Sequence, residues 1–107
     1  MAIEINAEEL KKKINDKEDF ILIEVLLPEL FNLWHIPGAI NIPADDFRDI
    51  APGKLGKDQE IVVYCRSLTC GASDRAADAL EDMGYKNIII FRGGKKEWEE
   101  KGYPVEV

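Results

Sequence analysis

Cys65 and Cys70 are the only two cysteines of this 107-residue chain, and they share one short segment, Cys65-Arg66-Ser67-Leu68-Thr69-Cys70-Gly71. A disulfide framework would spread its cysteines along the chain to close long loops. Two cysteines and the single histidine, His35, fall one ligand short of a four-ligand zinc site, so no metal and no cofactor is expected. What is left is local thiol chemistry, whose reactive form is the thiolate.

The residues around Cys65 say where such a thiolate would sit. Ile61-Val62-Val63-Tyr64 is β-branched and apolar, reads as a strand, and ends at Cys65. A loop follows, and Ser73 is expected to cap a helix running to about Met83. In open α/β sheets ligands bind beyond the carboxyl ends of the strands, which is where this places Cys65. A loop curling into a helix N-terminus turns backbone N–H groups inward and makes an anion site. Its partial positive charge is expected to lower the thiol pKa, with help from Arg66 if that side chain turns in. A thiolate so held can attack the outer sulfur of an anionic donor such as thiosulfate. The product, a cysteine persulfide, is stabilised by the same N–H groups. No general base is then required, in keeping with the distance of His35 from the loop in sequence. The bland alternative for Cys65 is an inert, buried strand-end thiol.

The other loop residues carry two readings each. Cys70 either resolves a Cys65 persulfide or sulfenate as a disulfide, or packs beneath the loop as a small side chain. Arg66 either orients an anionic donor or is simply solvated. Ser67 and Thr69 either donate hydroxyls to the anion or satisfy turn backbone. His35 is expected to bond to nearby backbone rather than act as a base. Arg92, at a strand end on the same edge, either borders the pocket or lies on the surface.

The elements that must position this segment read as alternating strands and helices. Ile3 to Ile5 is a short edge strand. Asn6 caps a helix to about Ile14, with Glu9 completing a capping box. Phe20-Ile21-Leu22-Ile23 is an apolar run suited to a strand covered on both faces. Pro28 opens a short helix through Leu33, and the turn-rich stretch from His35 to Pro43 holds a brief strand. Ala44 to Ile50 reads as one or two helical turns, and Ala51 to Lys57 as a surface loop. Ala76, Ala77, Leu80 and Met83 share a helix face, and Gly84 suits a left-handed stop. Ile88-Ile89-Ile90-Phe91 is another buried strand. Gly93-Gly94 turns the chain into a last helix with Trp98 in the core. Such alternation predicts a parallel α/β sheet covered on both faces.

Bulk properties bound the function. The length suits one domain over 1–107, and an apolar fraction of 46% suits a core that needs no staple. A net charge of −7 opposes nonspecific attraction to nucleic acid or anionic membrane. No basic-then-apolar leader opens the sequence, and no apolar run approaches the ~20 residues of a membrane helix. A cytoplasmic monomer is the resulting expectation.

At the level of motifs, the chain resembles the rhodanese-like domain family. The resemblance rests on Ile23-Glu24-Val25, on His35-Ile36-Pro37-Gly38-Ala39-Ile40-Asn41-Ile42-Pro43, on Val62-Val63-Tyr64-Cys65-Arg66-Ser67, and on Gly93-Gly94 with Trp98, in the family's order and spacing. It implies a three-layer fold with a five-stranded parallel sheet and helices on both faces. It also implies sulfane-sulfur transfer through a persulfide on Cys65, with Arg66, Ser67, Leu68, Thr69, Cys70 and Gly71 as the substrate-binding cradle. The chain departs from the family at three places. Leu26 stands where an arginine is frequent, the loop-to-helix segment is about two residues longer, and the arginine common near the loop's end is missing. Gly71, six residues after Cys65, also lacks the oxyanion-clamping arginine of related phosphatases and arsenate reductases.

Three functions compete on this reading. The first is a sulfurtransferase that moves sulfur from thiosulfate or a related small anionic donor to cyanide or a thiol. The second is a persulfide carrier loaded by a partner protein, with Leu26-Leu27-Pro28 and Trp34 as docking surface. The third is a redox protein cycling a Cys65–Cys70 disulfide.

Overall fold

The computed structural model describes residues 2–107 and shows a five-stranded, all-parallel sheet. Its strands are β1 (Ile3–Ile5), β2 (Ile21–Glu24), β3 (Ile40–Asn41), β4 (Glu60–Tyr64) and β5 (Asn87–Phe91), in the order β1-β5-β4-β2-β3. The helices are α1 (Ala7–Asn15), α2 (Pro28–Leu33), α3 (Phe47–Lys54), α4 (Ala72–Asp82) and α5 (Gly94–Glu100). β4 lies at the centre, with Val62 beside Leu22 on one flank and Ile89 on the other. No helix among the described residues is long and apolar enough to cross a membrane.

The alternation of side chains along the strands divides the core in two. Ile23, Ile61, Val63, Ile88 and Ile90 face α3 and α4, where they pack with Phe47, Ala51, Ala76 and Leu80. Leu22, Val62, Tyr64, Ile89 and Phe91 face the other way and pack with Leu10 and Trp98. This parity governs the site. Cys65, two residues after Val63, joins the α3–α4 side, whereas Glu24 and Tyr64 turn to the α1–α5 side.

Local signals account for most boundaries. Asn6 accepts from the Glu9 N–H at 2.8 Å and the Glu9 carboxylate accepts from the Asn6 N–H at 3.0 Å, so the expected capping box starts α1. Gly84 has φ +88°, the left-handed stop after α4. Trp98 is buried at 1% exposure.

One expected loop is helical instead. Residues 51 to 54 continue α3 through Pro52, although Pro, Gly and Lys in that stretch read as a loop. The cause is tertiary. Ala51 is fully buried and Leu55 nearly so, and the Tyr85 hydroxyl lies 3.3 Å from the Ala51 carbonyl and 3.0 Å from that of Leu55. Side-chain donation from β5's approach segment thus satisfies a helix end that local propensity would leave frayed.

Candidate active site

The site stands where β4 runs out. Residues 65 to 71 leave the carboxyl end of the strand, loop over the sheet edge and enter α4. A main-chain turn in which the Cys70 N–H donates to the Ser67 carbonyl at 3.1 Å closes the loop.

The loop is held from outside by the next crossover. The Lys95 N–H donates to the Cys65 carbonyl at 3.0 Å, and the Lys96 N–H to the Arg66 carbonyl at 2.8 Å. A trans peptide points its C=O and N–H in opposite directions. Tying the Cys65 carbonyl outward to the start of α5 therefore turns the Arg66 N–H inward. Gly94 makes this approach possible. Its φ is +62°, and a Cβ there would come within 2.4 Å of the Cys65 carbonyl oxygen.

Inside the loop the two thiols meet. Cys65 is 1% exposed, and its Sγ lies 3.5 Å from the Cys70 carbonyl oxygen and 3.5 Å from the Ser73 Oγ. Its side chain is also hydrogen-bonded to that of Cys70, and the Ser73 N–H points at it. Cys70 is half-buried. Its sulfur accepts from the main-chain N–H groups of Arg66 and Ala72.

These contacts order the acidities of the pair. Burial pushes the Cys65 thiol up, and its hydrogen bond to Cys70 pushes the same way, outweighing the Ser73 hydroxyl and N–H. Burial also acts upward on Cys70, but the Arg66 and Ala72 N–H groups, the Cys65 S–H and the Arg66 charge together bring that thiol below its ordinary value. The expected lowering at Cys65 is therefore found at Cys70. The loop brings a second sulfur toward the Arg66 and Ala72 N–H groups.

Ser73 is not the helix cap it was expected to be. Gly71 occupies the N-cap of α4, and Ser73 is a buried residue of the first turn whose hydroxyl reaches Cys65. No local signal in the sequence marks this contact, because it depends on how the loop folds back over the strand.

The remaining loop side chains look outward. Ser67 Oγ and Thr69 Oγ1 are 3.3 Å apart on the surface, and Leu68 is 67% exposed. Arg66 lines a groove of about 460 Å³ with Leu26, Leu30, Leu33, Trp34, Lys95 and others. Arg92 is committed elsewhere, to Asp74 at 2.8 Å and Glu4 at 2.9 Å. His35 stacks on Phe31 with centroids 3.8 Å apart, and its Nδ1 lies 3.0 Å from the Phe31 carbonyl. A cavity of about 570 Å³, lined by Phe20, Lys57, Glu60 and Asn87, opens at the amino ends of the strands and holds no thiol.

Beneath the site, on the other face of the sheet, lies a charged cluster that the sequence reading missed. Glu24 Oε1 is 3.1 Å from Lys95 Nζ and accepts from the Tyr64 hydroxyl at 3.0 Å. Lys95 Nζ also donates to the Leu30 carbonyl at 2.7 Å and lies 4.8 Å from the Trp34 ring centroid.

A parallel α/β sheet carrying a strand–loop–helix segment with a buried thiol at the carboxyl end of its central strand defines the class of protein. Within that class the family is settled by comparison: the rhodanese-like domain model matches residues 6–101, and the chain belongs to that family. A protein of Allochromatium vinosum named sulfurtransferase is 33% identical over 106 residues, covering 98% of this chain and 95% of that protein. The adenylyltransferase and sulfurtransferase UBA4 of Candida albicans is 35% identical over 94 residues, covering 81% of this chain. The chain matches only 21% of that longer protein. The solution structure of the rhodanese-like domain of the Anabaena Alr3790 protein superposes with a TM-score of 0.89 at 28% identity, covering 99% of this chain and 80% of that one.

Proposed function

We propose that this chain is a sulfurtransferase that takes sulfane sulfur from thiosulfate or a related small anionic donor, holds it as a persulfide on Cys65, and gives it to a thiol or to cyanide. The observation that carries the reading is the placement of the Cys65 sulfur: at the end of the central strand, against the Ser73 hydroxyl and N–H, within a loop whose Cys65 and Arg66 carbonyls are tied outward to α5. The similarity to a sulfurtransferase over almost the full length of both chains supports it.

The loading step balances without a cofactor. The Cys65 S–H passes its proton to the neighbouring Cys70 sulfur, to which it is already hydrogen-bonded. The Cys65 thiolate attacks the outer sulfur of thiosulfate, and the S–S bond breaks. Sulfite leaves with the electron pair, and one sulfur stays on Cys65. Arg66, on the rim of the groove, meets the departing anion, and the Ser73 hydroxyl meets the charge at position 65. Ser67, Leu68, Thr69, Cys70 and Gly71 form the frame around the donor. The reading belongs to the domain; the partners that supply and drain sulfur are small anions, small thiols or thiol-bearing proteins.

Incubation with thiosulfate followed by intact-mass measurement tests it. The wild-type chain gains one sulfur, and Cys65→Ser gains none. Loading by a desulfurase with no response to thiosulfate would assign the chain to the carrier reading, which the buried Cys65 and the apolar groove beside Arg66 also fit. A Cys65→Ser chain that still accumulates sulfur at the wild-type rate would overturn the assignment of the nucleophile.

A further inference from the structure

The Cys65 persulfide creates a problem of exit. Cys65 is 1% exposed, so an acceptor thiol attached to anything bulky cannot line up on its outer sulfur without opening the loop. Cys70 has no such difficulty. It is half-buried, its carbonyl lies 3.5 Å from the Cys65 sulfur, and the Arg66 and Ala72 N–H groups favour its ionised form. We infer that Cys70 is a second catalytic sulfur, a relay that receives the sulfane atom from Cys65 and presents it to the acceptor. The inference rests on the persulfide reading of Cys65 and adds to it the route by which sulfur leaves.

Geometry, charge and atom balance agree on this route. A sulfur added to Cys65 extends the side chain by one S–S bond, ~2 Å, in a loop where Cys70 already lies beside it, its carbonyl oxygen 3.5 Å from the Cys65 sulfur. The Cys65 persulfide anion first takes back the proton held on Cys70, leaving a Cys70 thiolate and a neutral Cys65–S–SH. The thiolate attacks the outer sulfur, a new S–S bond forms on Cys70, and the old one breaks with its electron pair on Cys65. The Cys65 thiolate released in this step is met by the Ser73 hydroxyl and N–H. It recovers the proton from the new persulfide, whose negative charge then lies against the Arg66 and Ala72 N–H groups. Nothing is oxidised or reduced overall, and no co-reactant is consumed. The lowered pKa of the Cys70 thiol, which keeps this sulfur ionised more readily than Cys65, is what the attacking group needs.

The sequence supplies the means of testing it. Tryptic cleavage after Lys57, Arg66 and Arg75 puts Cys65 in peptide 58–66 and Cys70 in peptide 67–75. The full chain is treated with inorganic polysulfide, a source of sulfane sulfur that does not presuppose the physiological donor. It is quenched with an alkylating agent at successive times and mapped without reductant. Sulfur is expected on peptide 58–66 first and on 67–75 later. In Cys65→Ser, sulfur on 67–75 is expected to fall to background. In Cys70→Ser, sulfur that reaches 58–66 stays there, and its transfer to glutathione, normalised to the amount loaded, slows by roughly tenfold or more. Sulfur confined to 58–66 with unimpaired transfer in Cys70→Ser overturns the relay and leaves the Cys65 reading standing. So does a 58–66 to 67–75 disulfide with release of sulfide, which would make Cys70 a resolving residue instead. Direct loading of Cys70 in Cys65→Ser at the wild-type rate removes the order of transfer. A wild-type chain that takes up no sulfur on either peptide overturns both readings together.

Discussion

Beyond burial, the acidity of Cys65 is set by two neighbours, Cys70 and Ser73, and they pull in different directions. Cys70 holds the Cys65 proton in place, because its sulfur accepts the Cys65 S–H and its charge opposes a second charge beside it. Ser73 acts the other way, donating to the thiolate. Cys70→Ser should therefore bring the Cys65 thiol down, moving the pH profile of its alkylation toward lower pH. Ser73→Ala should move the profile toward higher pH. Losing one hydrogen bond of ~1 kcal/mol corresponds to about a fivefold slower reaction of Cys65 in Ser73→Ala at neutral pH. Alkylation rates read on peptide 58–66 across pH check both signs in one experiment. Profiles that coincide with wild type in both variants would mean that these contacts do not govern the thiol. The opposed shifts also separate the two roles of Cys70: its loss makes Cys65 easier to ionise and yet slows delivery of sulfur to a bulky thiol.

The working element is the pair formed by the 65–71 loop and the first turn of α5. Each supplies what the other lacks. The first N–H groups of a helix have no partner within it, and the loop carbonyls need partners if their N–H groups are to face inward. The bonds Lys95 N–H to Cys65 C=O and Lys96 N–H to Arg66 C=O settle both needs at once. Gly94→Ala attacks this joint. The alanine must hold φ near +62°, which costs roughly 1–2 kcal/mol before any contact is counted. Its Cβ must also displace the Cys65 carbonyl. The expected result is a lower urea midpoint together with loss of sulfur loading larger than the lost folded fraction explains, because the loop moves even in molecules that stay folded. Loading that tracks the folded fraction alone would reduce Gly94 to a stability residue. Here the sequence was a good guide up to a point. The strand ending at Cys65, the Gly93-Gly94 turn and the capping box of α1 are local signals, written within a few residues. The conversion of Ser73 from cap to sulfur contact was not legible, since it depends on how the loop folds back over the strand. Nor was the helical course of residues 51 to 54, which Tyr85 secures from far along the chain.

Across the whole molecule the two faces of the sheet have different duties. The α3–α4 side carries the sulfur, and the α1–α5 side carries a buried charge cluster that joins β2, β4, α2 and α5 through Glu24, Tyr64, the Leu30 carbonyl and Lys95. Strand parity made the direction of Glu24 legible from its place after Leu22, but its partner comes from the other end of the chain. Glu24 is fully buried, and its Oε2 has no hydrogen-bond partner among the described residues. Burial raises its carboxyl above the ordinary range, although the hydrogen bonds from Lys95 and Tyr64 oppose this. The folded protein thus holds this proton more tightly than the unfolded chain does. The stability contributed by the protonated form is complete below the ordinary carboxylate range and is lost as pH rises through the raised folded value. Lys95→Met isolates the effect, since it leaves the carboxylate without its counter-charge in a site it cannot exit. Breaking one side of a buried pair costs ~3–5 kcal/mol, which is a large share of the stability of a domain this size. That cost belongs to the ionised carboxylate, so it should be larger at pH 7 than at pH 5, where more of Glu24 carries a proton. Urea unfolding of the wild type and the variant at the two pH values measures the difference directly. A penalty equal at both would place the loss in the packing of Lys95 against Trp34 rather than in the charge of Glu24.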